Sequence, residues 1–414
     1  MKNNIFSKIK IEFIKNFIYA FMAVMLQIGI VQLLILPLIS KTMTGEQYGL
    51  MLTIISIVDI IAITLGAAIC NVRLISHSIY KKESLQGDYN KYCIIYGSIS
   101  AIISIIAATV YEQAFSISTL LVGIMALMAF FFSYSQVSIR LNKKFHYDIV
   151  SSLLMGIGYF SGYSIYKLTG LWQYIYIFGY GFGGIFCGII IGKFYKEPVK
   201  STSLFKKTNK QILELSSSSF IKQLITYADR LILYPILGGE LVAIYYAATL
   251  VGKIVSLFTN PLNSLLLSYI SKPQNGIRKY LIKILIFSSG ICFLLYWLCF
   301  LLSKPILLIL YPQYCNAAMS IIHITLLSAM IEVVICIITP FTLKVFNTSL
   351  QVIVSIISTL VYFIAMFALL KTYKLIGFSI AVLLSSITKI SIITFFSLIY
   401  GKIDIKRKKS FIQE

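Results

Sequence analysis

The chain has 414 residues, of which 58% are hydrophobic and only 12% charged, yet its formal net charge is +22. With a mean hydropathy of +0.89, this composition excludes a water-soluble globular protein, whose surface needs about twice that share of charged side chains. It also argues against nucleic-acid binding, because no basic soluble domain is present to carry the charge.

A hydrocarbon core about 30 Å thick is crossed by about 20 apolar residues in a helix. Twelve segments qualify: 17–39, 49–70, 92–111, 114–136, 149–168, 172–192, 216–237, 241–268, 281–302, 317–339, 350–370 and 376–400. In lipid each must satisfy its own backbone hydrogen bonds, so the expected fold is all-α and polytopic.

The first segment follows Lys2, Lys8, Lys10 and Lys15, as a signal peptide would. Its apolar run is too long for a signal sequence and has no clear small-residue cleavage site, so it reads as a retained span. The second span holds Asp59 near its centre. The sixth carries Gly184, Gly188 and Gly192, a ladder that lets another helix approach closely. Tight internal packing, sliding during a conformational change and homodimerisation all use such a groove.

A polar connection over 193–215 follows the sixth span and divides the chain into two sets of six. The expected domains are therefore 1–200, a linker at 201–215, and 216–414 with a basic tail. The joins "LPLISKTMTGEQYGLM" (36–51) and "LYPILGGELVAIYYAA" (233–248) echo one another. Duplicated halves of this kind are a known transporter architecture.

The seventh span reads "SFIKQLITYADRLILYP". On a continuous helix Lys222 and Asp229 share a face about 10 Å apart, with Thr226 between them, while Arg230 is turned by about 100°. Lys222 either snorkels to the interface or joins a site. Asp229 and Arg230 form either an interhelical salt bridge or part of a working lumen. Lys253 lies midway along the eighth span on the face of Tyr246, and Lys389 midway along the twelfth. Neither has an acid within helical reach on its own span, so its partner is a residue of another helix or, as we prefer, an anionic ligand. Tyr245 and Tyr246 are interfacial anchors or platforms for sugar rings.

Asp59 and Glu332, the latter in the tenth span, either carry a coupling proton or Na⁺ or neutralise a cation structurally. His323 lies on the opposite helix face from Glu332 and reads as an ordinary interior or interface histidine. The seven cysteines, none in a CxxC pair, read as small apolar packing residues. No cofactor, metal site or catalytic residue is implied, and Walker A, HExxH and GxSxG motifs are absent.

With the N-terminus inside, 27 of the 36 Lys and Arg residues fall in cytoplasmic segments and five on the opposite face. Such asymmetry places both termini in the cytoplasm and calls for an even number of spans. The remaining four cations, Lys222, Arg230, Lys253 and Lys389, sit within spans beside three acids, Asp59, Asp229 and Glu332. A charge at the bilayer centre costs about 2.5–3.5 kcal/mol on insertion scales, so these residues are expected to face a protein or water-lined interior.

The segments "PLISKTMTGEQYGL", "YADRLILYPILGGELVAIYYAA" and "KPILLILYPQYCNAA", within this two-times-six pattern, resemble the Wzx-type polysaccharide flippases of the multidrug/oligosaccharidyl-lipid/polysaccharide (MOP) exporter superfamily. The resemblance implies a multi-pass protein of the bacterial cytoplasmic membrane that flips an undecaprenyl-pyrophosphate-linked oligosaccharide outward for O-antigen or capsule. It implies alternating access driven by H⁺ or Na⁺, contact with membrane lipids and with other polysaccharide-assembly proteins, and a cationic cavity between the halves. Lys222, Arg230, Lys253 and Lys389 are the candidate substrate-binding residues. Asp59, Asp229 and Glu332 are the candidate ion-coupling residues. A diphosphate crossing a low-dielectric slab requires such compensating charge. A related exporter of drugs or other lipid-linked precursors is the alternative. A membrane-embedded polymerase or ligase ranks lower, because the outer loops are too short to hold catalytic groups.

Overall fold

The structure, a computed structural model, describes the backbone of residues 2–270, 277–345 and 348–411. Side chains are described for 15–256, 283–339, 341–342 and 353–396. The cations Lys2, Lys8, Lys10, Lys272, Arg278, Lys279, Lys344, Lys402, Lys406, Arg407, Lys408 and Lys409 lie outside the described side chains, as does Tyr400.

Among the described residues every regular element is helical, and ten helices are long and apolar enough to cross a membrane. They span Lys15–Ser40, Gly45–Lys82, Asp88–Glu112, Ile117–Asn142, His146–Thr169, Gln173–Ile191, Gly239–Ser256, Lys283–Leu310, Ile322–Thr339 and Ile353–Phe396. Their starts follow local rules: Thr44 and Gln47, and Ser116 and Thr119, form capping boxes that satisfy the first free N–H groups.

The difference from the expected twelve lies at two places. The first is Ile353–Phe396, which is two helices joined at Lys374, where φ is 47° and ψ is −125°. The Ser385 hydroxyl donates to the Ser358 carbonyl at 2.9 Å. On one straight helix these residues would stand about 40 Å apart, so the segment doubles back as a hairpin. The second is the expected seventh span, which breaks into Phe205–Thr226 and Ala228–Leu237. Tyr227, at φ −103° and ψ 9°, forms the joint. Phe205–Thr226 is too polar, and Ala228–Leu237, with 10 residues, too short, to count with the other ten.

The chain separates into two compact units, Met1–Val242 and Ala243–Glu414. Phe205–Thr226 packs with the first unit against Thr64–Lys82. The linker itself is strapped down. Asp88, fully buried, accepts from Thr202 N (2.7 Å), Thr202 Oγ1 (2.5 Å) and Tyr80 OH (2.7 Å). Asn90 Nδ2 donates to the carbonyls of Phe194 and Glu197, and the hydroxyl of Tyr96 donates to Asn209.

The packing of Asp88–Glu112 is inverted relative to a helix of a soluble protein. On Asp88–Glu112 the buried face holds Gly97, Ser100, Ala101, Ser104 and Ala108, whereas Ile94, Ile99, Ile102, Ile106 and Val110 are exposed. Water would penalise that arrangement; lipid favours it, because small residues let helices approach while branched ones meet the acyl chains. The glycine ladder follows the same rule. A Cβ at Gly184 or Gly188 would run into the ring of Phe131, so the groove is filled within this unit.

Candidate functional site

Asp59 opens a π-helical turn, Asp59–Ile63, within the Gly45–Lys82 helix. Such turns spoil the regular i→i−4 pattern and are found disproportionately at functional sites. The Tyr227 hydroxyl donates to Asp59 Oδ2 at 3.0 Å, and Tyr180 OH donates to Oδ1 at 3.4 Å. One turn earlier, Ser56 Oγ accepts from Arg230 Nη1 at 2.8 Å. The Arg230 guanidinium also lies over the Tyr227 ring, 5.4 Å from its centroid. Three separate helical segments thus converge on one carboxylate through tyrosine and arginine.

The break at Tyr227 makes this convergence possible. It ends one helix at Thr226 and starts another at Ala228, where Asp229 Oδ1 accepts from the Arg230 backbone N–H at 2.9 Å. A carboxylate in the first turn of a helix is favourable there, since it meets unsatisfied N–H groups. The expected register between Lys222 and Asp229 assumed a continuous helix and does not survive the joint. Lys222 is exposed and does not enter the Asp59 cluster, while Thr226 donates to its carbonyl at 2.9 Å.

In the second unit, Lys389 Nζ lies 3.0 Å from Glu332 Oε2, and Ser386 Oγ donates to Glu332 Oε1 at 3.2 Å. One candidate ion-coupling residue and one candidate anion ligand are therefore partners of each other. Of the two partners that the sequence leaves open for Lys389, a residue of another helix or an anionic ligand, this structure shows the first. Both ends of the pair are partly exposed.

Lys253 places its ammonium 4.6 Å from the centroid of the Tyr246 ring, as their shared face anticipates. That ring also meets Tyr311 edge-on at 6.2 Å, while Tyr245 meets Phe378 at 5.1 Å. Both tyrosines are buried, so neither presents a ring face to a sugar in this structure. His323 accepts or donates at 2.9 Å to Tyr296 OH and stacks on Phe300, an aromatic-cluster role. All seven cysteines are free thiols.

Tyr227, Tyr180, Ser56 and Ser386 are participants that sequence reasoning missed. Two of them carry a signal: Tyr227 lies three residues before Arg230 and Ser56 three before Asp59, so each shares a helical face with a charged residue. Tyr180 and Ser386 are marked only by the tertiary contact.

No protein-family model matches the chain, and no curated protein matches its sequence. Solved structures do match its fold. The lipid II flippase MurJ, in an inward closed conformation, aligns with a TM-score of 0.63 at 16% identity, over 96% of this chain and 87% of that one. An inward-facing multidrug resistance MATE family transporter of the MOP superfamily aligns at 0.57 and 12%, covering 95% of both chains. The Vibrio cholerae MATE transporter VcmN, in its bent form, aligns at 0.55 and 12%, over 98% and 99%. The chain shares the fold of these transporters. That fold is shared by flippases and exporters, and these neighbours are transporters, not enzymes.

Proposed function

We propose that the protein flips undecaprenyl-pyrophosphate-linked oligosaccharide repeat units across the bacterial cytoplasmic membrane for surface polysaccharide, by alternating access coupled to H⁺ or Na⁺. In this reading the chain crosses the membrane twelve times, with the two hairpin arms around Lys374 and the broken segment at Tyr227 each counted as spans. Both termini are cytoplasmic, and the 201–215 linker separates the two sets of six spans in sequence.

The observation that carries the proposal is the set of cations held in apolar helices. Within the expected spans four cations outnumber three acids; Lys389 is paired with Glu332, while Arg230 and Lys253 are each seated on a tyrosine ring within a span segment. A local positive excess suits a diphosphate headgroup, whose polyprenyl tail can stay in lipid. That a lipid II flippase shares the fold adds support. Lys222, Arg230, Lys253 and Lys389 are proposed to meet the diphosphate in turn. Asp59, Asp229 and Glu332 are proposed to carry the coupling ion, with Asp59 the foremost because three helical segments converge on it.

A second reading, export of cationic drugs, draws on the same Asp59 carboxylate and the tyrosines around it. The two readings separate in a flippase-null strain supplied with several lipid-linked repeats. Restored surface polysaccharide supports the flippase; failure with every repeat, together with gained drug resistance, supports the exporter. Normal polysaccharide export by Arg230→Ala, Lys253→Ala and Lys389→Ala, each at normal protein level, would remove the cationic residues from the mechanism.

A further inference from the structure

Away from these charges, the first unit contains a cavity of about 340 Å³ lined by Arg73, His77, Tyr80, Lys81, the 84–87 turn, Tyr89 and Glu197. We infer that this cavity is a binding site for a multiply charged phosphate anion, of the pyrophosphate or phosphate-ester class. It does not depend on the flippase reading, since none of its residues belongs to the proposed transport set.

The argument begins on one helix face. Arg73, His77 and Lys81 follow at four-residue intervals on Thr64–Lys82, which aligns them over about 12 Å of one surface. That spacing suits an extended anion with more than one charge better than a single carboxylate. Arg73 is held rigidly. Its guanidinium lies between the rings of Tyr89 and Phe194, 4.9 and 4.8 Å from their centroids, and donates to Tyr134 and Glu197. Its side chain is only 12% exposed. Two of its five N–H donors are thus used among the described residues. A fixed planar fork loses little entropy on gripping an oxyanion. His77 and Lys81 are exposed and complete the rim.

Glu197 supplies the rest of the logic. Its carboxylate, on the strapped linker, is an internal anion already seated on Arg73. A phosphate ligand would compete with it, so the wild-type site is weakened by its own linker.

The test uses the intact protein in nanodiscs of neutral phosphatidylcholine, titrated calorimetrically with inorganic pyrophosphate. Saturable binding is expected. His77→Ala/Lys81→Ala should weaken it about tenfold or more, the worth of one or two charge-assisted contacts. Glu197→Gln should strengthen it several-fold. Lys210→Ala, an exposed lysine elsewhere, should leave it unchanged and so exclude a diffuse charge effect. Thermal melts of each variant confirm folding. Repeating the titration with phosphatidylglycerol in the disc identifies the source. Competition that disappears in His77→Ala/Lys81→Ala marks a lipid headgroup as the occupant; its absence marks a soluble phosphate. Absence of pyrophosphate binding in the neutral disc, or an affinity that either the double variant or Glu197→Gln leaves unchanged, overturns the assignment.

Discussion

Tyr227 donates its hydroxyl to the Asp59 carboxylate at 3.0 Å across 168 positions of sequence, from the joint of a broken helix to the start of a π-helical turn. Each partner thus stands where its helix departs from regular geometry. Irregular backbone within an apolar segment leaves main-chain groups needing partners, and it persists only where surrounding protein supplies them. Tyr227 touches both Asp59, through its hydroxyl, and Arg230, through its ring.

Removing the Tyr227 hydroxyl should therefore be felt at Asp59. A hydrogen bond to a charged group contributes about 1.5–3 kcal/mol, so Tyr227→Phe is expected to lower thermal stability and slow transport at normal expression. Tyr180→Phe, which loses the longer 3.4 Å contact, should have the smaller effect. Equal transport by wild type and Tyr227→Phe in vesicles would rule out a working role for the contact.

The Glu332–Lys389 pair makes a prediction of opposite form. If the two serve chiefly each other, Glu332→Gln and Lys389→Ala each impair the protein, while the swap Glu332→Lys/Lys389→Glu restores much of the loss. A double-mutant cycle should return a coupling on the order of 1 kcal/mol, typical of polar contacts between membrane helices. A swap no better than the worse single variant would point to a role for Lys389 toward substrate.

The hairpin about Lys374 is testable by chemistry alone. In a cysteine-free background, Ser358→Cys/Ser385→Cys should cross-link readily, since the Ser385 hydroxyl reaches the Ser358 backbone in the structure. A straight helix would hold the two about 40 Å apart and give no intramolecular product.

The strap on the linker centres on Asp88. Asp88→Asn replaces one acceptor oxygen with an N–H₂ facing donors, a mismatch costing about 1–3 kcal/mol. Amide exchange around Thr202 should accelerate, with little change in the core of His146–Thr169. Unchanged exchange at Thr202 would show that the other linker contacts hold it without Asp88.

The helical class was legible throughout, because runs of about 20 apolar residues leave the backbone no partner but itself. Asp59 and Arg230 were legible as candidates for a related reason: a charge in an apolar run is expensive wherever it points. Their neighbours were less so. Tyr180 resembles its many aromatic neighbours in sequence, and nothing local marks it as facing a carboxylate. The broken seventh segment was hidden because Tyr227 is neither proline nor glycine, so the run reads as one helix carrying Lys222 and Asp229 in register. The linker looked like a polar connection; Asp88, Asn90 and Thr202 become a strap only once folding brings them together.

The sequence by itself determined that this chain belongs in a bilayer and which residues carry charge into it. Both follow from transfer free energies, which depend on residue type and run length rather than on neighbours. Only the tertiary structure decided how those charges are spent. Hydrogen bonds and ion pairs require approach within a few ångströms of groups far apart in sequence. That approach seats Lys389 on Glu332, Arg230 on Ser56 and two tyrosines on Asp59.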